Sequence, residues 1–323
     1  MPTPAFRLLD DQPYYPGADD PLGFQGVAAD LADLIRASRA STPLALGVES
    51  GWGMGKSTLM RRIQGVLDGD EDVTTVWFNA WTASQGEAIE GLVKSVLDKL
   101  DRNILRRAAR NEKLVNWGRA LGLVLADWLR LGSVVNALWH DLSVDPKARN
   151  EIKGLVVRSM VEWSRMRTEL GPKRLLVVFV DDLDRCSPVN VFQVFEAVKL
   201  YLDAPGLVFV VGYDRDVVSD AVLEVKRYSD AVTSHHYVEK IIQLVYRLPS
   251  VGDDASEALL DLYLHASGTS DLFDRPARSL TIEQNERNPR RIKRFINAFV
   301  LEYRLDAEWQ EMGCRDAGEG SDH

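Results

Sequence analysis

A glycine-rich segment in the first fifth of the chain carries the residue types that bind phosphate groups. It runs from an apolar stretch through Gly51, Gly53 and Gly55 into Lys56 and Ser57, where a helical pattern begins. Glycines let successive backbone N–H groups point at an anion, and the first turn of a helix adds partial positive charge. The segment therefore predicts a phosphate-binding loop (P-loop).

The side chains of this loop have distinct predicted roles. Lys56 is expected to reach the β- and γ-phosphates of a nucleotide, and the Ser57 hydroxyl to ligate Mg²⁺. Ser50 stands where the usual pattern has its first glycine, and Gly51 follows it. The loop alone indicates a nucleotide and leaves the reaction open. The predicted nucleotide-binding residues are Gly51, Trp52, Gly53, Met54, Gly55, Lys56, Ser57 and Thr58.

Acidic residues follow a second apolar run, Leu175–Asp181. Ligands of open α/β sheets bind at the carboxyl ends of the strands, so these acids are expected beside the loop. Asp181 is predicted to hold Mg²⁺ together with the loop serine. Asp182 is predicted to polarise a water in line with the γ-phosphate. A solvated ion-pair network of Asp182, Asp184 and Arg185 is the alternative that the pattern leaves open.

The elements that must position these residues follow from hydrophobic patterning. Runs of apolar and β-branched residues alternate with helical patterns, which is typical of a parallel, doubly wound sheet buried on both faces. The predicted strands are Leu44–Glu49, Val73–Phe78, Leu175–Asp181, Leu207–Tyr213 and Leu244–Leu248. The predicted helices around them are Ala28–Ser38, Lys56–Leu67, Val189–Leu202 and Asp216–Lys226.

Two regions have helical patterns and no convincing strand. Residues 85–170 predict a helical insertion between the second and third strands, with a buried helix over Ala120–Trp139. Residues 251–312 predict a helical subdomain, with helices at Ala255–Ser267 and Pro289–Trp309. The expected organisation is a nucleotide-binding domain over 1–250, this subdomain, and a flexible tail over 313–323.

The amino-acid composition and the net charge limit the classes of protein to which the chain can belong. The 323 residues are 46% hydrophobic and 27% charged, which is typical of a globular protein. A net charge of −9 argues against binding a long stretch of nucleic acid. Cys186 and Cys314 have no metal-site or disulfide spacing, and the first residues do not resemble a secretory signal. We expect a cytoplasmic protein without a membrane segment.

With these residues in hand, the chain resembles the KAP family of P-loop NTPases over about residues 11–300. The motifs that carry the resemblance are Asp20–Phe24, Trp52–Ser57, Trp77–Trp81, Asp181–Arg185, Val238–Gln243 with Leu248 and Pro249, and Asn288–Asn297. The resemblance implies ATP binding and hydrolysis and an α/β sheet of the additional-strand type, with a strand between the loop strand and the Asp181 strand. In that family the helical insertion often carries paired membrane helices, but the insertion of this chain is too charged for them, which predicts a soluble bacterial member. The resemblance also implies roles of bacterial members in excluding phage or plasmids.

Several further residues are candidates with open alternatives. Arg290 and Arg291 would grip the β- and γ-phosphates from the helical subdomain, or form a basic helix face with Lys293 and Arg294 that would be the one obvious place for nucleic acid. Asn79 would lie near the attacking water, or only pack. The residue that senses the γ-phosphate stays open among Arg185, Asp214, Arg215, Lys240, Arg290 and Arg291.

The predicted function is Mg²⁺-dependent ATP hydrolysis that drives a conformational or assembly switch. The alternatives are a non-hydrolysing, nucleotide-dependent binding module and a P-loop kinase, against which Asp182 and the helical insertion argue. The expected partners are the nucleotide and either further copies of the chain or a separate effector protein, because no effector motif occurs in the sequence.

Overall fold

A computed structural model of the chain describes residues 6–11, 20–82, 91–92, 95–96, 99, 146–165, 174–201, 204–226 and 236–311. The strands are β1 (Leu44–Glu49), β2 (Val73–Asn79), β3 (Leu175–Asp181), β4 (Leu207–Tyr213) and β5 (Leu244–Arg247). The helices are α1 (Phe24–Ala37), α2 (Lys56–Leu67), α3 (Pro146–Arg165), α4 (Pro188–Tyr201), α5 (Arg215–Lys226), α6 (Asp253–Ser267), α7 (Arg275–Gln284) and α8 (Pro289–Glu311).

The five strands form one parallel sheet in the order β2-β3-β4-β1-β5. The position of β4 between β1 and β3 confirms the predicted additional-strand topology. Because all strands run the same way, the ends of β1, β2, β3 and β4 meet at one edge, and the register pairs Asn79 with Asp181 and Glu49 with Tyr213. This edge collects the residues that the sequence analysis placed at strand ends.

The strands differ in burial according to their place in the sheet. Every residue of β3 and β4 is buried, as expected for central parallel strands covered on both faces. The prediction that the fifth strand is buried in the same way is wrong, because Leu244 and Val245 are exposed. β5 is an edge strand of the sheet, and an apolar sequence does not ensure that an edge strand is buried by other elements.

The helices begin and end close to their predicted bounds, with two differences. α1 starts at Phe24 rather than Ala28, because the Asp20 carboxylate caps it by accepting a hydrogen bond from the Phe24 N–H at 3.0 Å. α7 was not predicted, because a ten-residue helix carries little periodic signal. Its first turn is capped by Asp274, which accepts from Ala277 N–H at 2.9 Å.

The predicted insertion is described only in part. α3 lies within it and is helical, as expected. The predicted helix over 120–139 and the predicted tail over 313–323 lie outside the described residues. Among the helices that the structure describes, none combines the length and the apolar character needed to cross a membrane.

The chain divides into two compact units. Unit 1 comprises residues 1–24, 53–55 and 249–323, and unit 2 comprises residues 25–52 and 56–248. Unit 2 contains the sheet and its helices, whose buried side chains form the larger apolar core. The predicted domain boundary at residue 250 stays a prediction.

Unit 1 has an apolar core of its own, drawn from α6, α7, α8 and the N-terminal segment. Phe6 is buried in it beside Leu264, Phe273 and Ile296. The segment 6–11 is tied to the helices through its backbone: Leu9 N–H donates to Asn297 Oδ1 at 2.7 Å, and Asn297 Nδ2 donates to Leu9 C=O at 2.9 Å. The beginning of the described chain is thus an integral part of this unit.

Candidate functional site

The glycine-rich segment adopts a tight loop between β1 and α2. Gly53 and Gly55 have φ angles of +79° and +101°, a region that residues with a side chain rarely enter. The loop leaves the sheet where Ser50 N–H donates to Tyr213 C=O at 3.2 Å. The glycines therefore meet the conformational requirement on which the predicted phosphate loop rests.

Lys56 lies at the first position of α2 and folds back into this loop. Its Nζ donates to the carbonyls of Ser50 at 2.9 Å and Gly51 at 3.1 Å. A third oxygen, Asp184 Oδ2, lies 3.6 Å from Nζ. The side chains of Lys56 and Asp184 are 8% and 12% exposed. The structure thus joins a predicted phosphate ligand to an acid for which the sequence left the role open.

The Ser57 hydroxyl donates to Asp181 Oδ1 at 3.0 Å. Burial at the end of β3 raises the pKa of Asp181, and the neighbouring acids Asp182 and Asp184 add to that rise. A cation at this position would favour the ionised carboxylate. The neighbouring strand carries Gly212, where an added Cβ would lie 3.5 Å from Asp181 Oδ1 and 2.6 Å from Met60 Sδ.

This pair fits the chemistry of a magnesium ligand set. Mg²⁺ prefers hard oxygen ligands and commonly takes one or two from the protein, with water and phosphate oxygens completing its coordination. Ser57 and Asp181 supply a hydroxyl and a carboxylate within hydrogen-bonding distance of each other. In the described part of the chain, no group of three or more His, Cys, Asp or Glu side chains is placed to hold a metal ion.

Asp182 occupies an unusual backbone conformation, with φ +59° and ψ +30°. Left-handed backbone is uncommon for a residue with a side chain and occurs often at functional sites. Its Oδ2 accepts from Asn79 Nδ2 at 2.7 Å, and its Oδ1 pairs with Arg185 Nε at 2.9 Å. Asn79, expected near the attacking water, is thus placed on the carboxylate predicted to orient that water.

Arg185 and Cys186 complete the turn after β3. The Arg185 guanidinium lies 5.7 Å from the Trp81 ring. Cys186 is half-buried against the core of unit 2, and this burial, with the nearby acids, raises its pKa to about 11. A thiol with a raised pKa is protonated at neutral pH and is therefore a weak nucleophile there.

Glu49 is a residue that sequence reasoning missed. Its carboxylate accepts from the Tyr213 hydroxyl at 3.2 Å and pairs with Arg247 Nε at 3.1 Å, so it joins β1, β4 and β5 one residue before the loop. Burial of the Tyr213 hydroxyl and the nearby Glu49 carboxylate raise the pKa of Tyr213. Only the register of three strands reveals this cluster, because nothing in the sequence links its members.

Three other candidates are Asp214, Arg215 and Lys240, and the structure gives side-chain partners for the first two. Asp214 Oδ1 accepts from Asp216 N–H at 3.1 Å and so forms the turn before α5, and its Oδ2 lies 3.9 Å from where a Cβ on Gly51 would be. Arg215 pairs with Glu239 at 3.8 Å, and Lys240 is exposed. Their predicted roles as γ-phosphate sensors stay predictions.

In unit 1, the loop tip contacts the start of α8. Asn288 is 8% exposed, and its Oδ1 accepts from the N–H groups of Arg290 and Arg291 at 3.0 and 3.1 Å, which caps the helix. Its Nδ2 lies 3.6 Å from Met54 Sδ. A Cβ on Gly53 would lie 2.7 Å from Asn288 Oδ1. In the sequence Asn288 is part of the Asn288–Asn297 motif, and its place before Pro289 is what makes it the cap of α8.

The two arginines predicted to grip phosphates are held by acids. Arg290 donates to Asp11 through Nε at 3.1 Å and Nη2 at 2.5 Å, and these hydrogen bonds lower the pKa of Asp11. Arg291 pairs with Glu286 at 2.7 Å. Lys293 donates to Asp10 C=O at 2.7 Å, and burial lowers its pKa. These contacts weaken the alternative of an open basic face for nucleic acid.

At the edge of the sheet, the structure places Lys56 beside Asp184, Ser57 beside Asp181 and Asn79 beside Asp182. The functional roles predicted for these residues stay predictions. Arg290 and Arg291 lie in unit 1, with partners of their own. Their predicted contact with phosphates stays a prediction.

Comparison with solved structures finds proteins of low sequence identity. The ADP form of the Aeropyrum pernix ORC2 protein is 14% identical, with a TM-score of 0.48, covering 94% of this chain and 68% of that one. A Walker-type ATPase of Pyrococcus abyssi is 12% identical, with a TM-score of 0.43, covering 89% of this chain and 75% of that one.

Comparison with known sequences is more specific. A phage T7 exclusion protein of Escherichia coli (strain K12) is 25% identical over 264 residues, which cover 72% of this chain and 33% of that protein. The chain thus spans about a third of the length of that relative. The KAP family P-loop domain matches residues 24–305. This range includes the phosphate loop, Asp181 and Asp182 after β3, and the start of α8 capped by Asn288. The chain belongs to the KAP family of P-loop domains.

Proposed function

We propose that the protein hydrolyses ATP with Mg²⁺ and that hydrolysis drives a conformational or assembly switch. The observation that carries the proposal is the joint placement of Lys56 within the loop and of Ser57 against Asp181 at the edge of the sheet. A phosphate loop with a lysine and a hydroxyl–carboxylate pair has the parts that phosphoryl transfer to water requires.

In this proposal each residue has one task. Backbone N–H groups from Gly53 to Thr58 bind the phosphates, and Lys56 neutralises charge that develops on them. Ser57 and Asp181 would hold Mg²⁺, which when bound neutralises charge on the β- and γ-phosphate oxygens. Asp182 orients the attacking water, and Arg290 or Arg291 reports the nucleotide state from the helical unit.

The test is phosphate release from ATP and from GTP, measured with and without Mg²⁺ over a range of protein concentrations. We expect Mg²⁺-dependent release from ATP by the wild type and its loss in Asp181→Asn. Asp30→Asn, which changes an exposed residue of α1, is the matched control. A rate that rises steeply with protein concentration would support a homo-oligomer, and equal release by Asp181→Asn and the wild type would refute the proposal.

A second candidate function is a nucleotide-dependent binding module with slow or no turnover. One observation favours it: both carboxylate oxygens of Asp182 are already engaged, by Asn79 and by Arg185. These two contacts occupy acceptor positions of the carboxylate, so fewer remain for an attacking water. Tight ATP binding without phosphate release would support this second function, and the expected partner would then be a separate effector protein.

The similarity to a phage T7 exclusion protein supports the further proposal that the chain acts in the cytoplasm in defence against phage. The test compares the plating efficiency of phage T7 on cells that express the wild type or Lys56→Ala. We expect fewer plaques with the wild type only. Equal plaque numbers, with both proteins present at equal levels, would contradict the defence role and leave the nucleotide chemistry untouched.

A further inference from the structure

The ion pair between Lys56 and Asp184 has no part in the mechanism proposed above. Asp184 belongs to the short turn after β3, and Lys56 begins α2, so the pair joins two elements that are far apart in sequence. Both side chains are nearly buried, at 8% and 12% exposure. Salt screens buried pairs weakly, and a buried charge without its counter-ion is costly. The Lys56 ammonium group and the Asp184 carboxylate therefore each neutralise the charge of the other in a nearly buried position.

In the described part of the chain, the polar contacts of Lys56 Nζ are with three oxygens. An ammonium group has three N–H donors and no acceptor. Carbonyl oxygens of Ser50 and Gly51 lie at 2.9 and 3.1 Å, and the Asp184 carboxylate lies on Nζ at 3.6 Å. The carbonyls are neutral and belong to the loop itself. The carboxylate carries a full negative charge, so it would repel a phosphate that approaches the same ammonium group.

Asp184 differs in this respect from the two acids before it. Asp181 contacts Ser57, and Asp182 contacts Asn79 and Arg185. Only Asp184 is paired with the phosphate-loop lysine among the described contacts of these three acids. The three carboxylates thus have different partners. Asp181 contacts a hydroxyl, Asp182 an amide and a guanidinium, and Asp184 an ammonium group.

We propose that Asp184 is a positioning residue for Lys56, an inference that rests on the nucleotide-binding function proposed above. Before a nucleotide binds, the carboxylate compensates the buried ammonium charge and holds the lysine within the loop. A phosphate group of a nucleoside di- or triphosphate then replaces Asp184 as the counter-ion of the Lys56 ammonium group. Asp184 and the phosphate are therefore competitors for one cation.

This competition fixes the sign of the effect that a substitution has. The ion pair stabilises the protein without nucleotide, so removing the carboxylate destabilises that form and tightens nucleotide binding. A residue that binds Mg²⁺ or the nucleotide behaves in the opposite way, because its removal weakens binding. A carboxylate that acts in the chemical step would lower kcat when it is removed.

The experiment compares the wild type with Asp184→Asn by isothermal titration with ATP and with ADP, in Mg²⁺ and in EDTA. We expect the Kd of Asp184→Asn to be about three- to tenfold lower for both nucleotides in both conditions, which is the range for losing one competing charge. We expect kcat to stay within about threefold of the wild type. Asp220→Asn, which removes the same charge from an exposed position of α5, should leave Kd and kcat unchanged.

Thermal unfolding gives a second readout. Without nucleotide, Asp184→Asn should unfold at a lower temperature than the wild type, and saturating ADP should remove the difference. Asp184→Glu, which keeps the carboxylate, should restore wild-type affinity. If Asp184→Asn does not fold, Asp184→Ser carries the same comparison with a small polar side chain.

Three outcomes would overturn the inference. An unchanged Kd would mean that no competition exists. A higher Kd in Mg²⁺ alone would make Asp184 a metal ligand, and a loss of kcat of about 100-fold or more would make it part of the chemical step. Failure of the proposed function itself looks different, because the wild type would then bind neither ATP nor ADP.

Discussion

The phosphate loop and the start of α8 both present cations that the sequence assigned to phosphate binding, yet the structure surrounds them differently. Lys56 is 8% exposed and is held by two backbone carbonyls of its own loop. Arg290 and Arg291 are 20% and 46% exposed and are held by the exposed side chains of Asp11 and Glu286. Backbone contacts in a buried loop are fixed by the fold, whereas exposed side-chain pairs exchange partners at little cost.

The comparison predicts that substitutions at the sheet edge act strongly and that substitutions in the α8 ion pairs act weakly. Asp182→Ala should give the largest effect, because it removes the carboxylate expected to orient the attacking water. We expect kcat to fall about 100- to 10,000-fold with the Kd for ATP nearly unchanged. Single-turnover phosphate release and ATP titration measure the two quantities, and unchanged turnover would contradict the assignment.

Lys56→Ala should give the next largest effect, now on binding. Removing a cation that makes charge-assisted hydrogen bonds to phosphates should weaken ATP binding about 100-fold. Arg61→Ala, on the same helix α2, is the control, because Arg61 lies over the Trp77 ring, 3.4 Å from its centroid, and not in the loop. If Lys56→Ala and Arg61→Ala bound ATP with equal affinity, Lys56 would not be a primary phosphate ligand.

Gly53→Ala tests the tip of the phosphate loop, where Gly53 lies against Asn288 and Arg290. The alanine must adopt φ near +79°, and its Cβ would lie 2.7 Å from Asn288 Oδ1 and 2.9 Å from Arg290 Cβ. We expect ATP binding to weaken about tenfold, since a strained backbone of this kind costs on the order of 1–2 kcal/mol. Gly69→Ala, where the nearest neighbour would be at 3.7 Å, serves as the control. Titration with ATP measures both variants, and equal affinities would mean that the loop tolerates the side chain.

Arg290→Ala should have a smaller effect, of about two- to fivefold on the Kd for ATP, because its guanidinium already has a carboxylate partner in Asp11. The matched control is Arg287→Ala, whose arginine is exposed and pairs with Asp253 in the same unit. A loss as large as that of Lys56→Ala would break the comparison, because both regions would then act as primary phosphate ligands.

The smallest effect concerns the Asp11–Arg290 pair and pH. The hydrogen bond from Arg290 lowers the pKa of Asp11 from its ordinary value of 3.8. The pair therefore contributes stability above that value, where Asp11 is ionised in both states, and loses it as the pH falls through the lower folded pKa. Wild type should unfold about 1 °C above Asp11→Asn at neutral pH. That difference should shrink as the pH falls below 3.8, and a difference that does not change with pH would exclude an ionic origin.

Much of the sheet and the main site residues could be predicted because local signals agree there. The bounds of β1, β3, β4 and α2 match the hydrophobic patterns, and the glycine spacing identifies the loop. Strand ends in a parallel sheet share one edge, so Ser57 and Asp181 could be expected to meet.

The contacts that were not predicted depend on long-range pairing of side chains. The Asn79–Asp182 bond depends on the register between β2 and β3, and the Asp184–Lys56 pair on the path of a three-residue turn. Glu49 and Asp11 carry no local motif, and the exposure of β5 depends on what covers the end of the sheet. Such features follow from tertiary structure, which a single sequence does not encode locally.

The hydrogen bonds between the backbone of Leu9 and the side chain of Asn297 in α8 have a consequence for how the chain folds during synthesis. Leu9 and Asn297 are 288 positions apart, so this contact forms only after Asn297 has left the ribosome. Pairings of such separation carry a large loop-closure cost and slow folding. Phe6 packs with residues of α6, α7 and α8, so it stays without its core while the five strands of unit 2 are being synthesised.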